Sequence, residues 1–339
     1  MKTDLIPKPL TRYNMRTAKR FSIPVARGAR FLGRARLFLV LALSVPVLMS
    51  AADIGKTFTS PEEAVSALLA ATSANDTNAF REIFGPTGVQ IENPDRVQSA
   101  NEVSAFDSAA KEHYRIVHQS EANCVLEVGN NAWPFPVPIV KRNGVWFFDT
   151  KAGKEEILNR HIGKNELSTL DSVRAYVEAQ REYASKDRVG DEVLEYAQKF
   201  NSSPGKKDGL YWPPELDGEI SPLGPLLAQA QHQDYESSLV RNQAERAAPQ
   251  PFHGYFYKIL YGQGKHAPAG KYDYIINGHM IAGFALVAWP VEYGETGVMT
   301  FIVNQQGRVY QKDLGPKTAK IVGTMKAYDP DTTWTISPD

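Results

Sequence analysis

Residues 297–312 read GVMTFIVNQQGRVYQK. Two apolar runs, Val298–Asn304 and Val309–Lys312, flank Asn304-Gln305-Gln306-Gly307, the composition of a turn joining two antiparallel strands. Upstream, Tyr255–Tyr261, Tyr272–Ile276 and Phe284–Trp289 have the same strand character, and Thr333–Ile336 at the other side suits an added edge strand. Before them, Lys154–Ser185 changes to a helical period. Ile157, Leu158 and Ile162 come first, Gly163 is expected to break the run, and Leu167, Leu170, Val173, Val177 and Tyr183 follow on one face. The pattern predicts an amphipathic helix packed on an antiparallel meander, hence an α+β fold.

A different α+β pattern precedes it. Ser60-Pro61-Glu62-Glu63 predicts a capped helix, with Ser60 as cap, Pro61 in the first turn and Glu63 closing a capping box. Ala64, Leu68 and Ala71 form its buried stripe. A second short helix follows Asp76 and stops at Gly85-Pro86, and a helix-like stretch spans Val103–His113. Strands are expected at Cys124–Val128, Phe135–Lys141 and Val145–Asp149, the last two joined through Arg142-Asn143-Gly144.

The chain has 339 residues, which suits about two domains. We expect a first domain over 53–152 and a second over 153–339. The second carries a Pro/Gly-rich insertion near 201–250, a length at which loops are usually functional or decorative.

The balanced charge of 38 basic and 38 acidic residues conceals a division. Residues 1–52 hold ten basic residues and a single acid, Asp4, followed by the apolar run Leu37–Met49 and then Ser50-Ala51-Ala52. That order is a secretory signal with a cut after Ala52, and an uncleaved anchor is the rival reading. The run is short for a membrane span, which needs about 20 residues, and Pro46 interrupts it. Initiation at Met15 is compatible with the same signal. Without residues 1–52 the chain keeps 28 bases and 37 acids, a net charge of −9. An acidic exported chain argues against nucleic-acid binding. Its only Cys, Cys124, excludes an intrachain disulfide and a thiolate metal cluster.

Three resemblances follow from these segments. The capped helices and the meander ending GVWFFD (144–149) resemble the α+β cone of nuclear-transport-factor-2-like domains over about 57–150. NELSTLDSVRAYVEAQREYA (165–184), GFALVAWP (283–290) and TGVMTFIVNQQGRVYQKDLG (296–315) resemble the soluble part of type IV pilin-like and pseudopilin proteins. Pilins open on a long apolar assembly helix, whereas another domain stands before the helix here. Taken whole, WPFPVPIVKRNGVWFFDT, NRHIGKNEL and YGETGVMTFIVNQQGRVYQKDLG resemble a bacterial exported family catalogued as domain of unknown function 2950. That resemblance implies the fold and the export and is silent about a reaction.

The chain carries no phosphate loop, H-E-x-x-H, G-x-S-x-G elbow or dinucleotide fingerprint. His113 and His118 are five apart, a poor spacing for two ligands on one helical face. His253 and His279, with Glu292 or Asp273 near, would make an acid–base pair or a weak metal site if their turns met at one end of the sheet. Without a ligand at diagnostic spacing, the plainer expectation is a loop-bonded His253 and a solvated turn residue at His279. Trp133 and Trp146 are candidates to line a cone pocket, and Tyr255 and Tyr257 to offer a stacking face. Such rings more often pack the core. Cys124 fits a buried, inert thiol. Asp313, Asp329 and Asp331 lack the alternating loop of a calcium site.

The sequence therefore predicts a periplasmic or secreted protein with no cofactor and no metal. Its expected role is a non-catalytic module binding an envelope protein or small ligand, touching the membrane only through an uncleaved N-terminal segment. A small-pocket hydrolase or isomerase, and an accessory of a pilus or secretion system, are the alternatives.

Overall fold

The computed structural model describes residues 54–90, 96–213, 218–225 and 251–338. The expected export segment and part of the 201–250 insertion lie outside the described residues. No helix among the described residues is long and apolar enough to cross a membrane. The architecture is mixed α+β in two compact units that divide between Ile157 and Leu158.

In the first unit, helix α1 (Pro61–Ala74) begins at extended Ser60, whose Oγ accepts the Glu63 N–H at 3.1 Å. Glu63 does not close the expected box on Ser60. Its carboxylate accepts instead from the Thr59 N–H at 2.8 Å and the Thr59 hydroxyl at 2.7 Å, one residue earlier. Helix α2 (Thr77–Phe84) is capped by Asp76, which accepts from Asn78 and Ala79, and α3 spans Arg96–Glu112.

Five antiparallel strands follow: β1 (Tyr114–Ser120), β2 (Asn123–Val128), β3 (Trp133–Pro134), β4 (Ile139–Arg142) and β5 (Val145–Phe148). Their order is β1-β2-β4-β5, with β3 also on β2. Strand β1 was not predicted, because YRIVHQS buries no side chain fully and shows no clean apolar alternation. The strand expected at Phe135–Lys141 begins only at Ile139. Pro136 and Pro138 have no N–H to give a ladder. The Asn143-Gly144 turn has φ of 52° and 84° and pairs Arg142 with Val145, the mirror-image turn that Asn-Gly favours. Phe58, Val65, Leu68, Leu126, Ile139 and Phe148 form the buried centre.

Helix α4 runs from Thr150 to Tyr183 without a break at Gly163. Tertiary burial of Leu170, Val173, Tyr176 and Val177 outweighs the roughly 1 kcal/mol that a helical glycine costs. The second unit's sheet contains β6 (Tyr255–Leu260), β11 (Ala285–Pro290), β12 (Met299–Asn304), β13 (Tyr310–Asp313) and β14 (Thr335–Ile336), in the order β14-β13-β12-β11-β6. Every pairing is antiparallel. The strand expected at Tyr272–Ile276 is two short pieces. Residues Tyr272–Asp273 (β8) pair with Gly262–Gln263 (β7), and Ile275–Ile276 (β9) with His279–Met280 (β10). A short helix, α5 (Thr318–Thr324), follows β13. Tyr176 packs edge-on against Phe284 and donates to the Ala285 carbonyl at 3.3 Å, while Glu166 accepts the N–H groups of Val298 and Met299, each at 2.9 Å.

Candidate functional site

Asn277 and Gly278, with φ of 51° and 92°, turn β9 back on β10 and place His279 opposite Ile276. The irregular segment that follows α4 meets this ribbon. Asp187 curls that segment by accepting the N–H groups of Val189, Gly190 and Glu192 at 3.2, 2.7 and 2.8 Å. The Glu192 and Gly190 bonds come first among the causes that hold the Asp187 carboxyl below its ordinary value. Further along, Tyr196 N–H donates to the Met280 carbonyl at 2.8 Å, Glu195 accepts the Met280 N–H at 3.1 Å, and Gln198 donates to the Gly278 carbonyl at 2.7 Å.

These contacts bring Asp191, Glu195 and His279 together, with one potential ligand atom from each within 4.8 Å of the others. His279 Nδ1 is 3.6 Å from Asp191 Oδ2 and 3.5 Å from Glu195 Oε2. That nitrogen is shielded from solvent and has no hydrogen-bond partner. The side chains of Asp191 and His279 are 39% and 31% exposed and Glu195 is 12% exposed, so the group opens to solvent on one side. One imidazole faces two carboxylates, a donor set that fits a divalent cation.

His253 is not part of this group. It precedes β6 at the Tyr255 end, with φ of 51°, and its ring lies 4.2 Å from that of Phe252. His279 belongs to the ribbon that follows the Leu260 end, where Tyr274 N–H donates to the Tyr261 carbonyl. The six residues of β6 therefore separate the two turns. Burial, then the Lys164 ammonium, push the His253 pKa down, against a weaker pull from Asp171.

Of the aromatic candidates, Tyr255 and Trp146 are buried, Tyr257 is half-buried and Trp133 is exposed. Tyr255 is fully buried, and its hydroxyl donates to the Met299 carbonyl at 3.0 Å. Tyr257 donates at 3.4 Å to Thr169 and to the Phe252 carbonyl. Trp146 is buried, whereas Trp133 is 38% exposed and meets Phe135 edge-on. Phe84, Phe106, Phe135 and Phe148 make ring contacts at 5.3–6.3 Å within the first unit. A surface depression of about 280 Å³ in the second unit is lined by Arg174, Gly307, Arg308 and Ser337, and among the described residues no imidazole or carboxylate lines it.

Residues 55–336 match the family described as protein of unknown function, DUF2950. The chain belongs to this family. No curated protein and no solved structure matches the DUF2950 chain. Within it, Asp191 and Glu195 give no sequence signal of the site because Glu195 and His279 lie 84 positions apart in the chain. Their i, i+4 spacing was visible in GDEVLEYAQ, but the segment is irregular rather than helical, so spacing alone carried no geometry.

Proposed function

We propose that this DUF2950 chain is an exported envelope or secreted protein that acts as a non-catalytic ligand- or partner-binding module. The observation that carries the binding role is the setting of Asp191, Glu195 and His279. Exposed apolar side chains occupy the same segments: Leu194 at 60%, Ile276 at 46% and Ile281 at 43%. Charged groups bordered by accessible apolar surface are the composition of a recognition surface. Export is supported by the basic, apolar and small-residue order of positions 1–52.

The hydrolase reading asked for His253 and His279 at one end of the sheet, or for an open cone pocket. The register of β6 and the ring contacts of the first unit support neither. Three helices on an antiparallel sheet favour the nuclear-transport-factor-2-like likeness for the first unit, and α4 before a meander favours the pilin-like one for the second. A pilus or secretion accessory role rests on that second likeness alone.

Fractionation of cells expressing the native chain, followed by native mass spectrometry, tests the proposal. The expected result is envelope or medium recovery, a mature N-terminus after Ala52 and a retained mass. Cytoplasmic recovery with an intact N-terminus would overturn the export reading, and an exported chain that retains nothing from any fraction would overturn the binding reading.

A further inference from the structure

We infer that Asp191, Glu195 and His279 form a binding site for a single borderline divalent cation of the Zn²⁺ type. The inference stands apart from the export reading and holds in any compartment. Its basis is a distance pattern. A carboxylate that pairs with a charged histidine N–H approaches to about 2.7–2.9 Å. In the same protein His266 Nδ1 and Asp329 Oδ2 stand 3.0 Å apart, within hydrogen-bond distance. At His279 both carboxylates stand back, at 3.5 and 3.6 Å, and neither makes a hydrogen bond to the nitrogen. Ligand atoms held about 2.1 Å from a tetrahedral ion lie about 3.4 Å apart, close to the 3.5 and 3.6 Å that separate His279 Nδ1 from the two carboxylates.

The surroundings hold the donors in place without an ion. Asp191 Oδ1 accepts the Val193 N–H at 3.1 Å, leaving Oδ2 for the site. Glu195 is held through Oε2, the oxygen that faces His279, which accepts the Met280 N–H and keeps a second lone pair for an ion, and its chain neighbour Tyr196 is held by the Met280 carbonyl. The ion would join the segment after α4 to the β9–β10 ribbon, two pieces far apart in sequence. Three protein donors and an open solvent side leave a fourth position for water or an anionic group of a partner. An imidazole in the set disfavours Ca²⁺ and Mg²⁺, which prefer oxygen-only sites.

The test uses full-length protein purified without a histidine tag, dialysed against Zn²⁺, Mn²⁺, Ca²⁺ or Mg²⁺, with bound metal counted per chain. One equivalent of Zn²⁺ is expected, with Mn²⁺ weaker and Ca²⁺ and Mg²⁺ not retained. Asp191→Asn and His279→Gln are each expected to weaken Zn²⁺ binding by about tenfold or more. His253→Ala and His266→Ala are expected to leave it unchanged. Hydrogen exchange should also show Zn²⁺ slowing amides across 189–198 in the wild type and not in Asp191→Asn, whose unchanged melting curve would establish that it folds. No stoichiometric Zn²⁺, binding that survives both substitutions, or binding lost through His266→Ala would each overturn the assignment.

Discussion

Gln180 holds Ala197 by both of its backbone groups. The side-chain Oε1 accepts the Ala197 N–H at 2.8 Å, and Nε2 donates to the Ala197 carbonyl at 2.9 Å. Gln180 is fully buried on α4, and Nε2 also donates to the Tyr176 hydroxyl at 3.0 Å. A helix side chain thus takes the place of a neighbouring strand, and it does so two residues after Glu195. The irregular segment gains a fixed position that its own sequence, with no regular ladder, does not supply.

Replacing Gln180 with Leu keeps the volume and removes all three bonds, the one to the Tyr176 hydroxyl included. Ala197 N–H and C=O are then buried without partners, so a loss of about 2–4 kcal/mol is expected in urea denaturation. Amide exchange at Ala197 should accelerate well beyond that of the β11–β12 ladder. A change below about 0.5 kcal/mol would mean that the segment relaxes to water and is not held by this side chain.

Two glycines of α4 should respond in opposite directions to alanine. At Gly163 an added Cβ meets nothing within 4 Å, so Gly163→Ala is expected to stabilise by about 0.5–1 kcal/mol through helix propensity. At Gly153 the same atom would stand 2.6 Å from Val137 Cγ2 and 3.1 Å from Val137 Cα. Gly153→Ala is therefore expected to destabilise by about 1–3 kcal/mol, since a packed wall yields poorly. Paired melting curves decide both, and equal effects of either sign would refute the argument.

The sequence made most elements legible because their signals were local. Asp76, Ser60 and the Asn143-Gly144 turn act within a few residues of themselves, and the β12–β13 hairpin announces itself by its two runs. What escaped depended on distant partners. Strand β1 exists because Tyr114–Ser120 finds β2, not because its own side chains alternate. Gly163 remained helical because residues further along α4 were buried. Of the site, only His279 was singled out, and its expected neighbours were Glu292 and Asp273. Its actual partners come from a segment fixed by Gln180 and Met280, contacts that no spacing rule reports.

Acid should weaken the second unit through two carboxylates. The Lys207, Lys186 and Arg188 cations, in that order, hold the Glu219 pKa down to about 2 from an ordinary 4.5. Burial works against ionisation of Asp208, yet hydrogen bonds from Lys199 and Ser203 outweigh it and bring its pKa to about 2 from 3.8. A depressed folded pKa means that the stabilisation is complete above the unfolded value and is lost as pH falls through the folded one. Stability should thus decline between about pH 4.5 and pH 2. Glu219→Gln should be less stable at neutral pH and show a shallower decline in that window. An unchanged slope in urea titrations at successive pH values would show that these ion pairs survive in the unfolded chain.

The only thiol should be silent until the first unit opens. Cys124 is fully buried on β2, opposite His118 on β1, with Sγ 3.2 Å from His118 Nδ1. A nearby imidazole could be read as an activating base, but burial, with a smaller contribution from Glu62, pushes the thiol pKa up rather than down. The thiolate is the reactive form, so both its scarcity and its burial oppose attack. Native protein should therefore resist an aromatic disulfide reagent over hours and react fully in denaturant, with a rate that follows the population of the opened state. His118→Ala should leave the native thiol equally unreactive, since burial rather than the imidazole controls it. A rapid reaction in native buffer that disappears in His118→Ala would instead identify an activated cysteine.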